Sequence, residues 1–253
     1  MPKVIDFSRI RASCASCNLQ ELCLPRGLHR KDLELLGRLV EQSDPLQQGA
    51  FLFRAGDPFR HLYAVRTGVI KLYLTTAAGD EQIIGFYFPG EILGLDAIDD
   101  RKHTCSAIAL ETSSCCKFSF DSLDKLCQSV DGLNAQMMRL MSRELSNENQ
   151  LLLTLSKKNA EEKLATFLVT LSDRFRRLGY SATEFRLSMS RQDIGNYLGL
   201  TLETVSRVLN KFGRDRLISL DQKLVIIRQP EKLMKLAACS EGSPDNLTRQ
   251  RIS

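Results

Sequence analysis

Apolar positions recur with two different periods along this chain, and the change of period marks its parts. Between residues 29 and 131 the apolar runs are short: Phe51-Leu-Phe, His61-Leu-Tyr-Ala-Val, Val69-Ile-Lys-Leu-Tyr-Leu, Gln82-Ile-Ile-Gly-Phe-Tyr-Phe and Ser106-Ala-Ile-Ala-Leu. Ala55-Gly-Asp-Pro, Thr67-Gly, Ala78-Gly-Asp and Pro89-Gly fall between them. Short runs at regular spacing, bounded by turn residues, predict an antiparallel barrel or jelly roll. A short helix over residues 30–42 is expected ahead of it. From residue 132 to 158 the period becomes helical. No Gly or Pro follows Gly132 in this stretch, and Met138, Met141, Leu145, Glu148, Leu152 and Leu155 step by 3, 4, 3, 4 and 3. That is an a/d seam, which predicts a long helix able to pair with a second copy of the chain. Glu148 occupies a seam position. Two such carboxylates facing each other at ~6 Å would repel by about 3 kcal/mol at an effective dielectric of about 20, so the pairing reads as marginal.

The pattern changes again after residue 159. A helix is expected over residues 160–178, ended by Gly179. In Ser190-Arg-Gln-Asp-Ile-Gly-Asn-Tyr-Leu-Gly-Leu-Thr, Ser190 can cap a short helix with Asp193 at the capping-box position. Gly199 supplies a turn, because glycine takes positive φ without a Cβ clash. Thr201 can cap a second helix whose Val205, Val208 and Leu209 face inward, and Gly195 leaves room for the two helices to approach. This is a helix-turn-helix pattern. The runs at 217–220 and 224–227 read as a hairpin, the wing of a winged helix. The expected fold class is α+β, in five parts: a cysteine-rich loop (1–28), a β-roll (29–131), a dimerisation helix (132–158), a winged helix-turn-helix (159–239) and a polar, aperiodic, disordered tail (240–253).

Charge sharpens the reading of the C-terminal half. The 253-residue chain carries a net charge of +5. Residues 157–230 hold 14 Lys/Arg against 8 Asp/Glu, a balance of +6 that leaves −1 for the rest. A positive balance confined to the helix-turn-helix segment is what contact with a polyanion requires. On the exposed face of the second helix stand Glu203, Ser206 and Arg207, three and four residues apart. An arginine can donate two hydrogen bonds to guanine, and a glutamate can accept one from cytosine. Arg191, Thr201 and Thr204 join them as DNA-binding candidates. No run of eighteen apolar residues suggests a membrane span, and the first residues lack the apolar core of a secretory signal, so a cytoplasmic setting is expected. His29, His61 and His103 form no metalloprotease pattern, and no nucleophile elbow or P-loop string occurs, which argues against an enzyme.

A cytoplasmic setting makes the eight cysteines reduced thiols or metal ligands rather than disulfides. Cys14, Cys17 and Cys23 have C-x2-C-x5-C spacing, which lets one loop grip a metal centre with three thiolates. A four-ligand site then needs a distant donor. Thiolates select zinc or iron–sulfur groups, and the spacing leaves both open. Cys105, Cys115, Cys127 and Cys239 read as ordinary small, buried side chains.

A cysteine loop, a β-roll, a long helix and a helix-turn-helix, in that order, resemble the CRP/FNR superfamily of bacterial transcription regulators, and within it the FNR branch. The segments that carry the resemblance are residues 14–25, Gly79-Asp-Glu-Gln-Ile, Ala109-Leu-Glu-Thr-Ser, Gln136-Met-Met-Arg-Leu-Met-Ser, Leu155-Ser-Lys-Lys-Asn-Ala-Glu-Glu and Asp193-Ile-Gly-Asn-Tyr-Leu-Gly-Leu. The resemblance implies a [4Fe–4S] cluster held by Cys14, Cys17, Cys23 and Cys116. Neighbouring strand residues point to opposite faces, so only one of Cys115 and Cys116 can easily face the loop, and the register of the resemblance gives Cys116. It further implies an oxygen-responsive homodimer that binds double-stranded DNA at TTGAT-N4-ATCAA-like palindromes through Glu203, Ser206 and Arg207. Such a regulator activates and represses genes of anaerobic metabolism. Thr67 and the turn holding Gly79 and Asp80 match surfaces by which the family touches RNA polymerase. Cyclic nucleotide is not expected as a cofactor. Leu95 stands where the ribose-binding acid would be, and His103-Thr104-Cys105 offers no arginine for the phosphate. The competing reading keeps the family but gives the cysteines to structural zinc or to a thiol redox switch.

Overall fold

A computed structural model describes residues 14–238. The residues before Cys14, Cys239 and the expected tail at 240–253 lie outside the described residues. The chain divides into two units, 1–146 and 147–253, with the boundary inside the long helix.

In the first unit, a 3-10 turn at Cys14–Ser16 opens a loop of hydrogen-bonded turns that leads into α1 (Arg30–Leu39). Eight strands follow: β1 (Val40–Gln42), β2 (Phe51–Phe53), β3 (His61–Thr67), β4 (Ile70–Thr75), β5 (Glu81–Tyr87), β6 (Ile92–Leu93), β7 (Ser106–Ala109) and β8 (Ser114–Ser119). They form two four-stranded antiparallel sheets, ordered β1-β8-β3-β6 and β2-β7-β4-β5, so the expected roll is present. Two helices close the unit, α2 (Phe120–Ser129) and the start of α3 (Asp131–Lys157).

Strand side chains alternate between faces, and this splits the apolar residues into two cores. Phe53, Val65, Ile70, Leu72, Leu93 and Cys115 come from both sheets and form one of them. The other gathers Leu62, Ala64 and Phe118 of the first sheet with Leu36 of α1, Leu123 of α2 and Leu133 and Met137 of α3. Cys14, Cys23, Leu24 and Leu28 of the loop belong to this second core.

One detail of this unit differs from the sequence expectations. The helix expected over 30–42 stops at Leu39, because Val40 turns to extended backbone and 40–42 pair with β8, Val40 opposite Phe118 and Gln42 opposite Cys116. β8, Ser-Cys-Cys-Lys-Phe-Ser, is the strand on which Cys115 and Cys116 were expected to face opposite sides, although it is not one of the apolar runs.

The second unit holds the rest of α3, then α4 (Ala160–Arg177), β9 (Glu184–Arg186), α5 (Arg191–Leu198), α6 (Leu202–Arg214), β10 (Ile218–Asp221), β11 (Leu224–Ile227) and α7 (Pro230–Ala238). Asn159 and Glu162 form a capping box at the start of α4, and Ser190 and Asp193 form the expected one on α5. Gly199 ends α5 in the left-handed region at φ 61°. Gly195 is needed for the turn: a Cβ there would lie 2.6 Å from the Leu200 carbonyl oxygen. Leu164, Leu168, Ile194, Val205, Leu209 and Phe212 are buried. The wing is a three-stranded sheet, β10-β11-β9, rather than a simple hairpin, because 184–186 pair with β11. Among the described residues, no helix is long and apolar enough to cross a membrane.

Candidate cysteine site and nucleic-acid interface

Cys14 and Cys23 are buried, and Cys17 and Cys116 are half-buried. The loop between them is held by its own backbone, with Cys23 N–H donating to Leu19 O at 3.0 Å and Arg26 N–H to Cys23 O at 3.2 Å. It is also held by close packing on the turn before β6: Gly90 has φ 89°, and a Cβ there would lie 2.8 Å from Leu22 Cβ. Cys116, more than ninety residues away in sequence, packs against the core that contains Cys14 and Cys23. Cys115 points the other way. It is wholly buried in the other core, and its N–H donates to Ser43 Oγ at 3.0 Å.

The four thiols feel one another. Burial pushes Cys14 up to about 12, and Cys116 and Cys17 add to the shift. Burial also raises Cys23; the Leu24 N–H works against it, and Cys116, Cys14 and Cys17 reinforce it. Cys116 is raised by burial against the pull of the Arg66 guanidinium, with Cys17 adding to the rise. Each thiol thus lies within electrostatic reach of the other three, and apolar burial favours the neutral form unless a cationic group compensates. Among the described residues no three such side chains close on one point as a single metal ion requires. In kind and number the four thiols fit [4Fe–4S] ligation.

Around Leu95 and His103-Thr104-Cys105 the chain's own side chains pack against one another. His103 is buried, stacked on Phe53 with ring centroids 3.8 Å apart and edge-on to Phe59 at 5.6 Å. Asp96, one position past Leu95, escaped the sequence reading. Its carboxylate accepts from the Thr104 N–H at 2.9 Å, the Thr104 hydroxyl at 3.1 Å and the Cys105 thiol at 3.4 Å, and faces His103 Nδ1 at 3.7 Å. Burial alone would raise this carboxyl. The His103 ring, the Thr104 N–H and the Cys105 thiol outweigh it and hold the group at about 2.

Along α3, Met138, Leu145 and Leu152 are 57%, 61% and 64% exposed and stand seven residues apart, so they form one apolar stripe on a helix surface. Glu148 is exposed too. Met141 is half-buried and packs on the second core of its own roll. Leu155 is half-buried, with Cδ2 3.9 Å from where a Cβ at Gly199 would sit. The exposed stripe also includes Leu153, 50% exposed, which the heptad count passed over.

Recognition-helix geometry is local. Thr201 caps α6: its hydroxyl accepts from the Thr204 N–H at 3.2 Å and donates to Thr204 Oγ1 at 3.1 Å. Val205, Val208, Leu209 and Phe212 are buried, which turns Glu203 and Arg207 to solvent. Among the described residues no ion pair joins Glu203 to Arg207. Ser206 accepts from Arg191 Nη1 at 3.2 Å. Lys211 ties the helix to the first turn of α4 through both Glu161 carboxylate oxygens, at 2.6 and 2.8 Å. In the roll, Thr67 is exposed at the end of β3, and the exposed turn carrying Gly79 and Asp80 is closed by Gly79 N–H to Thr76 O at 2.9 Å and Asp80 N–H to Thr76 Oγ1 at 3.2 Å.

A two-sheet roll, a long helix and a winged helix-turn-helix define a DNA-binding transcription regulator. The comparisons agree. Residues 44–130 match the cyclic nucleotide-binding domain, and residues 162–236 match the Crp-like helix-turn-helix domain. The transcriptional activator protein Anr of Pseudomonas protegens is 49% identical over 230 residues, covering 91% of this chain and 94% of its own. The fumarate and nitrate reduction regulatory protein of Escherichia coli K12 is 46% identical over 224 residues, 88% of this chain and 90% of its own. Among solved structures, FixK2 from Bradyrhizobium japonicum superposes with a TM-score of 0.72 at 28% identity, over 78% of this chain and 96% of that one. The chain belongs to the CRP/FNR family, among the Fnr and Anr transcription regulators. These relatives are regulators, not enzymes.

Proposed function

We propose that this regulator senses dioxygen through a [4Fe–4S] group held by Cys14, Cys17, Cys23 and Cys116, and that the group controls dimerisation and DNA binding. The observation that carries the reading is that Cys14, Cys23 and Cys116, from two distant segments, share one apolar core with Cys17 within electrostatic reach of all three, in a chain whose relatives include regulators named for fumarate and nitrate reduction. When bound, such a group supplies an oxidisable tie between the loop and β8. The chain's part is to seat the loop: Leu22 lies against Gly90, and Cys14, Cys23 and Leu24 pack among the residues of α1 and α3. Met138, Leu145 and Leu152 then offer a second copy an apolar stripe that Glu148 interrupts. Two recognition helices, one from each copy, meet half-sites about one helical turn apart, as a TTGAT-N4-ATCAA-like palindrome presents them. Glu203, Ser206 and Arg207 read bases, while Arg191, Thr201 and Thr204 support them. Thr67 and the Gly79–Asp80 turn face RNA polymerase. The protein works in the cytoplasm, activating and repressing genes of anaerobic metabolism. Cyclic nucleotide is not its effector: Leu95 and His103-Thr104-Cys105 lack the acid and the arginine for it, Asp96 Oδ2 is taken by Thr104 and Cys105, and His103 is stacked on Phe53 and edge-on to Phe59.

A zinc staple or a thiol switch is the alternative. Anaerobic purification separates the two: iron and acid-labile sulfide with broad visible absorbance support the proposal, while colourless protein containing zinc, or no metal, overturns it. Glu148→Ala tests the dimer arm. It should sediment as a dimer in air without iron, and a monomer under those conditions would end the repulsion argument.

A further inference from the structure

Two hydroxyls lie on the reading side of α6, and each is already used as an acceptor inside the protein. Thr204 Oγ1 accepts from the Thr201 hydroxyl at 3.1 Å, and Ser206 Oγ accepts from Arg191 Nη1 at 3.2 Å. Among the described residues neither hydroxyl donates to a protein acceptor. A hydroxyl carries one hydrogen, and that hydrogen turns away from a donor already pointing at its oxygen. The backbone under Arg191 is rigid, because Ser190 and Asp193 exchange capping-box hydrogen bonds on either side of it. A guanidinium also has five N–H groups, so one bond to Ser206 leaves donors for a phosphate.

We propose that Arg191 is a positioning residue that sets the polarity of Ser206, making it a hydrogen-bond donor to the base it meets. This rests on the proposed reading of DNA by α6 and assigns a selection rule to it. In the major groove adenine and guanine offer N7, guanine adds O6 and thymine offers O4, whereas cytosine offers only its N4 donors. With Arg191 on one of its two lone pairs, Ser206 presents its hydrogen more readily than its oxygen, and so favours A, G or T over C at its position. A serine released from Arg191 can turn its oxygen to the cytosine amino group and admit it.

The test uses the full chain purified without oxygen and a pool of palindromic duplexes randomised across the half-site, with the bound fraction sequenced. At the position whose base preference Ser206→Ala changes, the unmodified protein should disfavour cytosine. Arg191→Ala should raise cytosine at that position by roughly fivefold, the worth of one ordinary hydrogen bond, beyond any uniform loss of affinity. Ser206→Ala should remove the discrimination there, and Arg191→Ala combined with Ser206→Ala should change base preference no further. If Arg191→Ala weakens binding to all sequences alike and cytosine stays disfavoured, Arg191 is a phosphate contact and the proposal falls while the reading helix stands. If Ser206→Ala leaves every base preference intact, the role of Ser206 in reading falls, and this proposal with it.

Discussion

The cysteine loop and the recognition helix hold their functional side chains by opposite means. In α6 the scaffold is local: Thr201 caps the helix three residues before Thr204, and the buried Val205, Val208 and Leu209 turn Glu203 and Arg207 outward. In the loop almost nothing is local beyond a few turns. Cys14 and Cys23 are placed by a sheet face, by α1 and α3, and by Leu22 lying against Gly90. The contrast fits the proposed roles, switching for the loop and reading for the helix. A segment held by long-range packing can be released as a unit when a tie across it is cut. A capped helix keeps its face whatever happens elsewhere.

Four experiments would break or sharpen this contrast. The largest effect is expected in the loop. Cys17→Ser and Cys116→Ser should each abolish iron and sulfide incorporation, measured on anaerobically purified protein, while Cys115→Ser and Cys127→Ser should retain it. Full iron in Cys116→Ser would move the fourth ligand elsewhere. On the helix, Arg207→Ala should cost about 1–3 kcal/mol on a guanine-containing half-site and relax the preference there, as read by competition binding. Equal loss on random DNA would make Arg207 a phosphate contact.

Gly90→Ala probes long-range seating. The left-handed backbone and the approach of Leu22 should together cost about 1–3 kcal/mol in denaturant unfolding. Adding Leu22→Gly, which removes the Cβ that the new methyl would meet, should recover the steric share, and no cost at all would show that the loop is seated by other contacts. The smallest effect is expected from Thr201→Ala, about 1 kcal/mol for a lost helix cap. It should lower thermal stability without changing iron content; a change in iron would mean that the two regions are not independent.

The parts of the molecule that were legible in the chain are those whose determinants lie within a few residues. Ser190 with Asp193, Thr201 with Thr204, and Gly199 in its left-handed turn define the helix-turn-helix through contacts three to five residues long. The 3, 4 spacing announced the stripe on α3, because helical period alone puts Met138, Leu145 and Leu152 on one line. The roll was legible as a class, from turn residues and short apolar runs. Tertiary structure alone decided the rest. Nothing local says that 40–42 abandon the helix to pair with β8, or that 184–186 add a third strand to the wing, since a strand's partner lies far off in sequence. Asp96 became part of the roll's interior only when Thr104 and Cys105 were folded against it. Likewise the strand alternation showed that Cys115 and Cys116 must part. The resemblance pointed to Cys116, but the physical reason that it, and not Cys115, shares a core with Cys14 and Cys23 is tertiary: the loop and helices cover that face of the first sheet.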